Sequence, residues 1–407
     1  MFRTVWRIAW ASLARRASRS LLVVLMIAMS LWGLLFMEGI YDGMTEQMIS
    51  NAIRSDSGQI SLFAAGYRED PDVRRLIMPA DEIGRLLDND RRVQSHVQRL
   101  RQDGLAATAH YSRSVTVYGV DLAAEKGHGR LDRYLIAGAY DFGDRKKGVL
   151  LGAKLAEKLK VKIGRKLIVS AQNSEQEVAA VALEITGVVR TNNMALDESA
   201  VFIDLDKARE LLMTPVGVSQ ICVILHAEQD IAPLQQELRH RFADLQVLRW
   251  DELYPALLQG RVMMKGFNLI MSLLIFGVAG LGIFGVMVVS VLERLREFGI
   301  MLAIGTSFAR VRQIIFAESF ILGGTGFFAG SLLGGATLVY FYRHGLDLTV
   351  FSQGLQEFGM DAITYAVIRV QYFITAFAAV MLATFVSVLF PLRLLKKSNP
   401  IEAINKV

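Results

Sequence analysis

Four stretches of this chain are apolar over about twenty residues or more, and the rest alternates in short periods. Such stretches match the length needed to cross a hydrocarbon core about 30 Å thick. They predict membrane spans at 20–41, 266–292, 314–342 and 372–391, the last closed by Pro391. Before the first span, residues 1–19 carry Phe2, Val5, Trp6, Ala9, Trp10 and Leu13 at helical spacing, with five arginines between them. That pattern predicts a basic amphipathic elbow helix lying in the interface of an anionic membrane surface. The first apolar run is too long for a secretory leader and lacks a small-x-small end, so it is expected to be an uncleaved anchor.

Residues 42–265 hold no run long enough to span. Strand-like segments at 59–63, 115–120, 148–151, 167–171, 178–189 and 200–203 interleave with helical segments at 153–159, 206–213 and 231–242. Asp204 is placed to cap the second of these helices. The expected fold class is therefore an α-helical membrane protein with four transmembrane helices and a large extracytoplasmic α+β domain, of one or two subdomains, inserted between helices 1 and 2.

Charge adds orientation. Lys and Arg are dense in 1–19, in the 293–313 loop (Arg294, Arg296, Arg310, Arg312) and in the 392–407 tail, whereas the short 343–371 loop has only Arg343 and Arg369. The positive-inside rule puts both termini and the 293–313 loop in the cytoplasm and the 42–265 domain outside. The net charge of +6 is explained by this bias, and no nucleic-acid partner is expected. The one cysteine, Cys222, reads as a buried strand residue.

The 293–313 loop holds the most informative segment, Glu293-Arg-Leu-Arg-Glu-Phe-Gly-Ile-Met-Leu-Ala-Ile-Gly305. Alternating charges lead into a short apolar helix, 300–304, which stops at Gly305. Thr306 or Ser307 is positioned to cap the next helix. Such a helix either lies on the bilayer or docks into a partner. This segment resembles the signature E-R-x-R-E-[IF]-G-[IV]-x-x-A-[LI]-G of permeases in the MacB/LolCE/FtsX-like ABC transporter family. Three further stretches are similar to lipoprotein-releasing permeases of that family: Met37-Glu-Gly-Ile-Tyr-Asp-Gly-Met44, Gly148-Val-Leu-Leu-Gly-Ala-Lys-Leu-Ala156 and Asn399-Pro-Ile-Glu-Ala-Ile404.

The resemblance implies that Glu293, Arg294, Arg296, Glu297, Ile300, Met301, Ile304 and Gly305 form a coupling helix for an ATP-binding subunit. It implies two copies of a cytoplasmic ATPase, which bind ATP and Mg, and a second permease copy or a paralogue. Membrane lipids and a periplasmic carrier or lipoprotein cargo complete the expected partners. This chain is expected to hold no cofactor or metal and to be no enzyme, since no G-x-x-x-x-G-K-[ST] loop, metal-ligand spacing or G-x-S-x-G elbow occurs in it.

Phe36, Met37, Ile40 and Met44 on span one, with Met264, Phe267, Ile270 and Met271 on span two, are candidates for an apolar cargo cavity; lipid-facing or core positions are the alternative. Gly326, Gly330 and Gly334 form a helix-packing stripe, either at a dimer interface or against a neighbour in the same chain. Glu318 lies just inside span three, and a contact to Arg310 or Arg312 is weighed against a role in proton coupling. Three functions stay open. One is lipoprotein release. A second is FtsX-like transmission of motion to a cell-wall enzyme, whose permease has a smaller outer domain. The third is MacB-like efflux, whose ATPase is fused at the N-terminus, where this chain opens on its elbow segment.

Overall fold

The computed structural model describes residues 2–397, other than 16, 144, 192, 352, 353 and 356–359. The Asn399–Ile404 motif lies outside the described residues. The chain divides into two compact units: residues 1–45, 261–347 and 363–407 form one, and residues 46–260 with 348–362 form the other.

The first unit is helical. Helix α1 (Phe2–Arg15) is followed by α2 (Ala17–Ala52), much longer than the apolar run alone suggests. Its last residues pass into a single π-helical turn, Ile53–Ser57, closed by Gly58 with φ +62°.

The second unit, which takes in the end of α2 from Glu46, continues from there. Its elements in order are β1 (Ile60–Ala64), α3 (Ala80–Asp88), β2 (Val93–Ala107), β3 (Ser112–Val120), α4 (Leu122–His128), β4 (Leu135–Gly138), β5 (Gly148–Gly152), α5 (Ala153–Leu159), β6 (Lys166–Gln172) and β7 (Val178–Val189). Then come α6 (Met194–Ser199), β8 (Ala200–Asp204), α7 (Leu205–Leu212), β9 (Gln220–Leu225), α8 (Ile231–Arg241), β10 (Leu245–Arg249) and α9 (Trp250–Leu253). Asp204 caps α7 as expected, accepting from the amides of Asp206 and Lys207.

Strand β2 organises this unit, and the hydropathy pattern does not reveal it. Its first half pairs antiparallel with β9, which joins β1 and β10 in an open antiparallel sheet. Its second half pairs with both β3 and β6. From there the ladders run β3–β8, β8–β5, β5–β7 and β7–β6, closing a ring of six strands. The unit therefore has three cores, one of them on the outer face of the ring, where Tyr118, Leu131, Phe142, Leu150 and Phe202 pack together. Leu100, Val117, Leu151, Val169, Leu183 and Val201 fill the ring. Ile60, Leu62, Ile83, Leu87, Leu234 and Leu238 fill the layer in which α3 and α8 cover the open sheet. The segment 93–107 was not expected as a strand, whereas 220–225 is the strand in which Cys222 was expected to be buried. β2 is mostly polar, because Arg99 and Gln102 point inward among its apolar positions.

The chain returns to the first unit through α10 (Pro255–Glu293), α11 (Leu295–Ala303), α12 (Phe308–His344), the small ladder of β11 (Leu346–Asp347) with β12 (Ile363–Thr364), and a fourth long helix, Val370–Lys397. Among the described residues, four helices are long and apolar enough to span a membrane. Three expectations need correction. Pro391 does not close the fourth helix, which runs on to Lys397. Ser307 is the N-cap residue of α12, but neither it nor Thr306 supplies a side-chain cap. The 343–371 segment is not a plain loop: its ends pair as β11 and β12, and 348–362 belongs to the second unit.

Candidate functional site

The coupling-type segment folds as α11, one turn longer at its start than the apolar run predicts. Gly305 ends it with φ +93°, a backbone state that side-chain-bearing residues rarely adopt. Its faces divide sharply. Phe298 is 1% exposed and sits in the bundle core, with Met301 and Leu302 packed beside it. Ile300 and Ile304, four residues apart and so on one side, are 46% and 77% exposed. Met301 is therefore a packing residue, not part of the free apolar face expected of it, and Phe298 was missed. The signal for Phe298 was present as an apolar position in the signature, but only the fold shows which way it points.

Charges hold this helix to the bundle. Arg294 precedes α11 and is 8% exposed. Its Nη1 donates to Glu318 Oε1 at 2.6 Å and its Nε to Glu297 Oε2 at 3.0 Å, while its guanidinium lies 4.7 Å from the Phe298 ring centre. This corrects the expected partner of Glu318, which is neither Arg310 nor Arg312. The geometry has a plain reason: Arg294 leaves span two at the level where Glu318 enters span three. Glu293 pairs with Arg19, and Arg296 is exposed.

The stripe Gly326, Gly330 and Gly334 packs inside the chain. A Cβ on Gly330 would lie 2.9 Å from the Ala28 carbonyl oxygen and 2.9 Å from Leu31 Cβ; Gly326 and Gly334 abut Ile27 and Leu35 in the same way. Missing side chains thus let α12 approach α2 closely. The dimer-interface alternative loses these three residues to α2.

The eight cavity candidates do not converge on one slot. Phe36, Ile40 and Met44 pack in a cluster with Leu338, Ala366 and Tyr372. Phe36 also lies 5.5 Å from the Phe341 ring. On α10, Phe267 and Ile270 are 46% and 56% exposed, and Met37 and Met271 are half-buried. Met264 ties the two helices, accepting a hydrogen bond from the Tyr41 hydroxyl at 2.8 Å. Nearby, Tyr372 donates to Asp42, which also meets Arg369 Nε at 3.4 Å. This clasp between spans one and four was not visible in the sequence, because its members lie far apart in the chain.

A second polar cluster sits inside the sheet unit. Arg99 makes a two-pronged pair with Glu125 at 2.6 and 2.9 Å and donates to the Asp56 carbonyl at 2.6 Å. The Cys222 thiol donates to the same carbonyl at 3.2 Å, and Tyr254 donates to the Asp56 carboxylate. Burial opposes the Arg99 charge, but Glu125 and the other groups around it, Asp56 among them, together hold the pKa well above the usual arginine value. Burial also pushes the Cys222 thiol up to about 12, so it stays protonated and unreactive. Asp56 lies where the chain enters this unit and Tyr254 where it leaves, so one buried network fastens both chain crossings to β2 and β9.

Four long apolar helices, a mixed-sheet domain inserted after the first and a stabilised short helix between the second and third define a multi-spanning membrane protein. Residues 20–241 match the MacB-like periplasmic core domain, and residues 269–400 match the FtsX-like permease C-terminal domain. The lipoprotein-releasing system transmembrane protein LolE of Haemophilus influenzae is 22% identical over 249 residues, 60% of this chain and 58% of that relative; the match spans less than two thirds of the relative's length. Among solved structures, the extracellular domain of the noncanonic ABC-type transporter YknZ from Gram-positive bacteria is 17% identical, with a TM-score of 0.34, covering 47% of this chain and 99% of that one. The periplasmic region of MacB from Actinobacillus actinomycetemcomitans is 17% identical, with a TM-score of 0.35, covering 50% and 94%. The chain belongs to the MacB/LolCE/FtsX-like family of ABC transporter permeases.

Proposed function

We propose that this chain is the inner-membrane permease subunit of a transporter that extracts lipoproteins or another lipophilic cargo from the outer leaflet. Two copies of a cytoplasmic ATPase bind ATP and Mg and supply the energy, and this chain holds no cofactor. A second copy or a paralogue completes the permease, and a periplasmic carrier receives the cargo. Both termini and α11 face the cytoplasm, and the sheet unit is periplasmic. The observation that carries this reading is the exposed pair Ile300 and Ile304 on a helix that Arg294, Glu318 and Phe298 hold rigidly. A fixed apolar ledge of this kind suits a groove in a partner. Burying one such side chain is worth roughly 1.5–3 kcal/mol, and a charge there adds a desolvation cost.

Ile304→Asp tests it. The substituted residue is on the surface, so the amount and melting of the permease should stay at wild-type values, while ATPase co-purification falls at least tenfold and cargo release stops. Retention of the ATPase at the wild-type level would remove the coupling role. A second test uses the single buried native cysteine as a silent background: Glu175→Cys, exposed on the sheet unit, should label from the periplasmic side. Labelling only from the cytoplasmic side would invert the topology.

The second reading is transmission of motion to a periplasmic cell-wall enzyme. It is favoured by the Asp56 network, which couples both crossings into the sheet unit. Cargo release by the reconstituted complex separates the two readings, since transmission alone releases nothing from the bilayer.

A further inference from the structure

The amphipathic helix α1 and span helix α12 enclose a feature that the permease reading does not use. Between them lies an open groove of about 670 Å³, lined almost wholly by apolar surface from Trp6, Trp10, Phe320, Ile321 and Gly324, with Arg7 as the charged wall among the described residues. Its shape follows from the sequence. Ala9 is fully buried against Ala317 and Ile321, so the two helices touch closely there. On one side of that contact, Trp6 and Phe320 meet edge to face with centres 6.0 Å apart. Beside them, Gly324 leaves a gap: a Cβ built on it would meet no atom within 4 Å.

The level of the groove is fixed by charges. The pairs Arg294–Glu318 and Arg19–Glu293 mark one polar boundary of the bundle. Gly324 lies six residues beyond Glu318 on the same helix, about 9 Å deeper at 1.5 Å per residue. The groove thus runs from the charged boundary into the apolar layer. Two tryptophans at such a depth are typical of the membrane interface. Arg7 is exposed and, among the described residues, has no carboxylate partner.

We infer that this groove is a binding site for an anionic phospholipid. One acyl chain lies between Trp10 and Phe320 over Gly324, and the phosphate rests on Arg7. An arginine suits a phosphate because its fork of N–H donors matches the oxygens. A zwitterionic headgroup fits less well, because among the described residues no acidic side chain lines the groove to receive its ammonium. The inference needs only that the helices lie in a membrane; it holds whether the chain releases lipoproteins or transmits motion.

The test uses the full chain in phosphatidylcholine nanodiscs, with dibrominated phosphatidylglycerol or dibrominated phosphatidylcholine added in small amounts. Brominated chains quench tryptophans they touch, and Trp32 and Trp250 give a background common to all samples. Phosphatidylglycerol should reach half-maximal quenching at about one fifth of the phosphatidylcholine content, the factor one interfacial arginine supplies. Arg7→Gln, an exposed change that leaves the fold intact, should bring the two lipids level. Gly324→Leu should fill the gap and abolish the extra quenching by either lipid, with unchanged melting. Equal quenching by the two lipids in the wild-type protein, or full quenching in Gly324→Leu, would overturn the site. Displacement of the brominated lipid by millimolar inorganic phosphate would show a simple anion site, and would overturn the lipid assignment too.

Discussion

Helices α10 and α12 are of nearly equal length, and both are apolar enough to span a membrane, yet they meet the rest of the protein in opposite ways. α12 is the less apolar of the two, but 56% of its most apolar stretch is buried within the chain, against 18% for α10. The difference lies in how each helix uses small and polar residues. α12 spends Gly326, Gly330 and Gly334 on α2 and its glutamate on Arg294. α10 carries Gly277 and Gly285, where an added Cβ would meet nothing within 4 Å, and its first two thirds present Met263, Leu269, Leu273 and Val278 at 63–71% exposure. Its last third, around Ile283, Met287 and Val291, joins the bundle core, and Ile275 and Phe276 pack at the edge of the helix cores. Among hydrocarbon tails, apolar side chains gain nothing by burial in protein, so hydropathy reports that a helix enters the membrane and small or polar residues report what it packs against.

The contrast can be broken most severely at the ion pair. Glu318→Ala leaves the buried Arg294 with only the exposed Glu297 to pair with, which should cost about 3 kcal/mol; thermal melting in detergent should drop by many degrees, whereas Glu293→Ala, whose pair is exposed, should shift it little. Next comes the glycine stripe. Gly330→Leu drives a side chain into the backbone of Ala28 and should cost about 3 kcal/mol, seen as lost monodisperse protein. The same change at Gly277 should be silent; equal damage at both would refute the asymmetry. A smaller effect is expected at Gly282, where an added Cβ meets only the flexible end of Met26. Gly282→Leu should therefore cost roughly 1 kcal/mol, well below Gly330→Leu. The smallest effect belongs to the bare face. Leu273→Ala should change melting by less than about 0.5 kcal/mol. A larger loss in the assembled complex than in the isolated chain would show that a partner covers α10.

The inserted domain was legible only in part. Strands with β-branched runs, such as β5, β7 and β8, stand where their composition puts them, and Asp204 caps α7 because that interaction is local. β2 was hidden because it buries Arg99 and Gln102, which imitate an exposed segment until Glu125 and Asp56 are brought against it. The coupling-type segment was read correctly as a helix stopped by Gly305, yet Phe298, its firmest anchor, and Met301, which turns inward, were not distinguished from Ile300 and Ile304.

The sequence by itself determined the four spans, the insertion after the first, the elbow, the glycine stripe and the family signature. Each of these is a property of neighbouring residues. A spanning helix must satisfy its own backbone in lipid, so local apolar length decides it. The tertiary structure alone decided that Glu318 meets Arg294, that the stripe faces α2, that Asp42 meets Tyr372 and that Asp56 gathers Arg99, Cys222 and Tyr254. Those pairs lie 24 to 330 residues apart in the chain. Their energies depend on burial, which no stretch of residues possesses until distant segments pack around it.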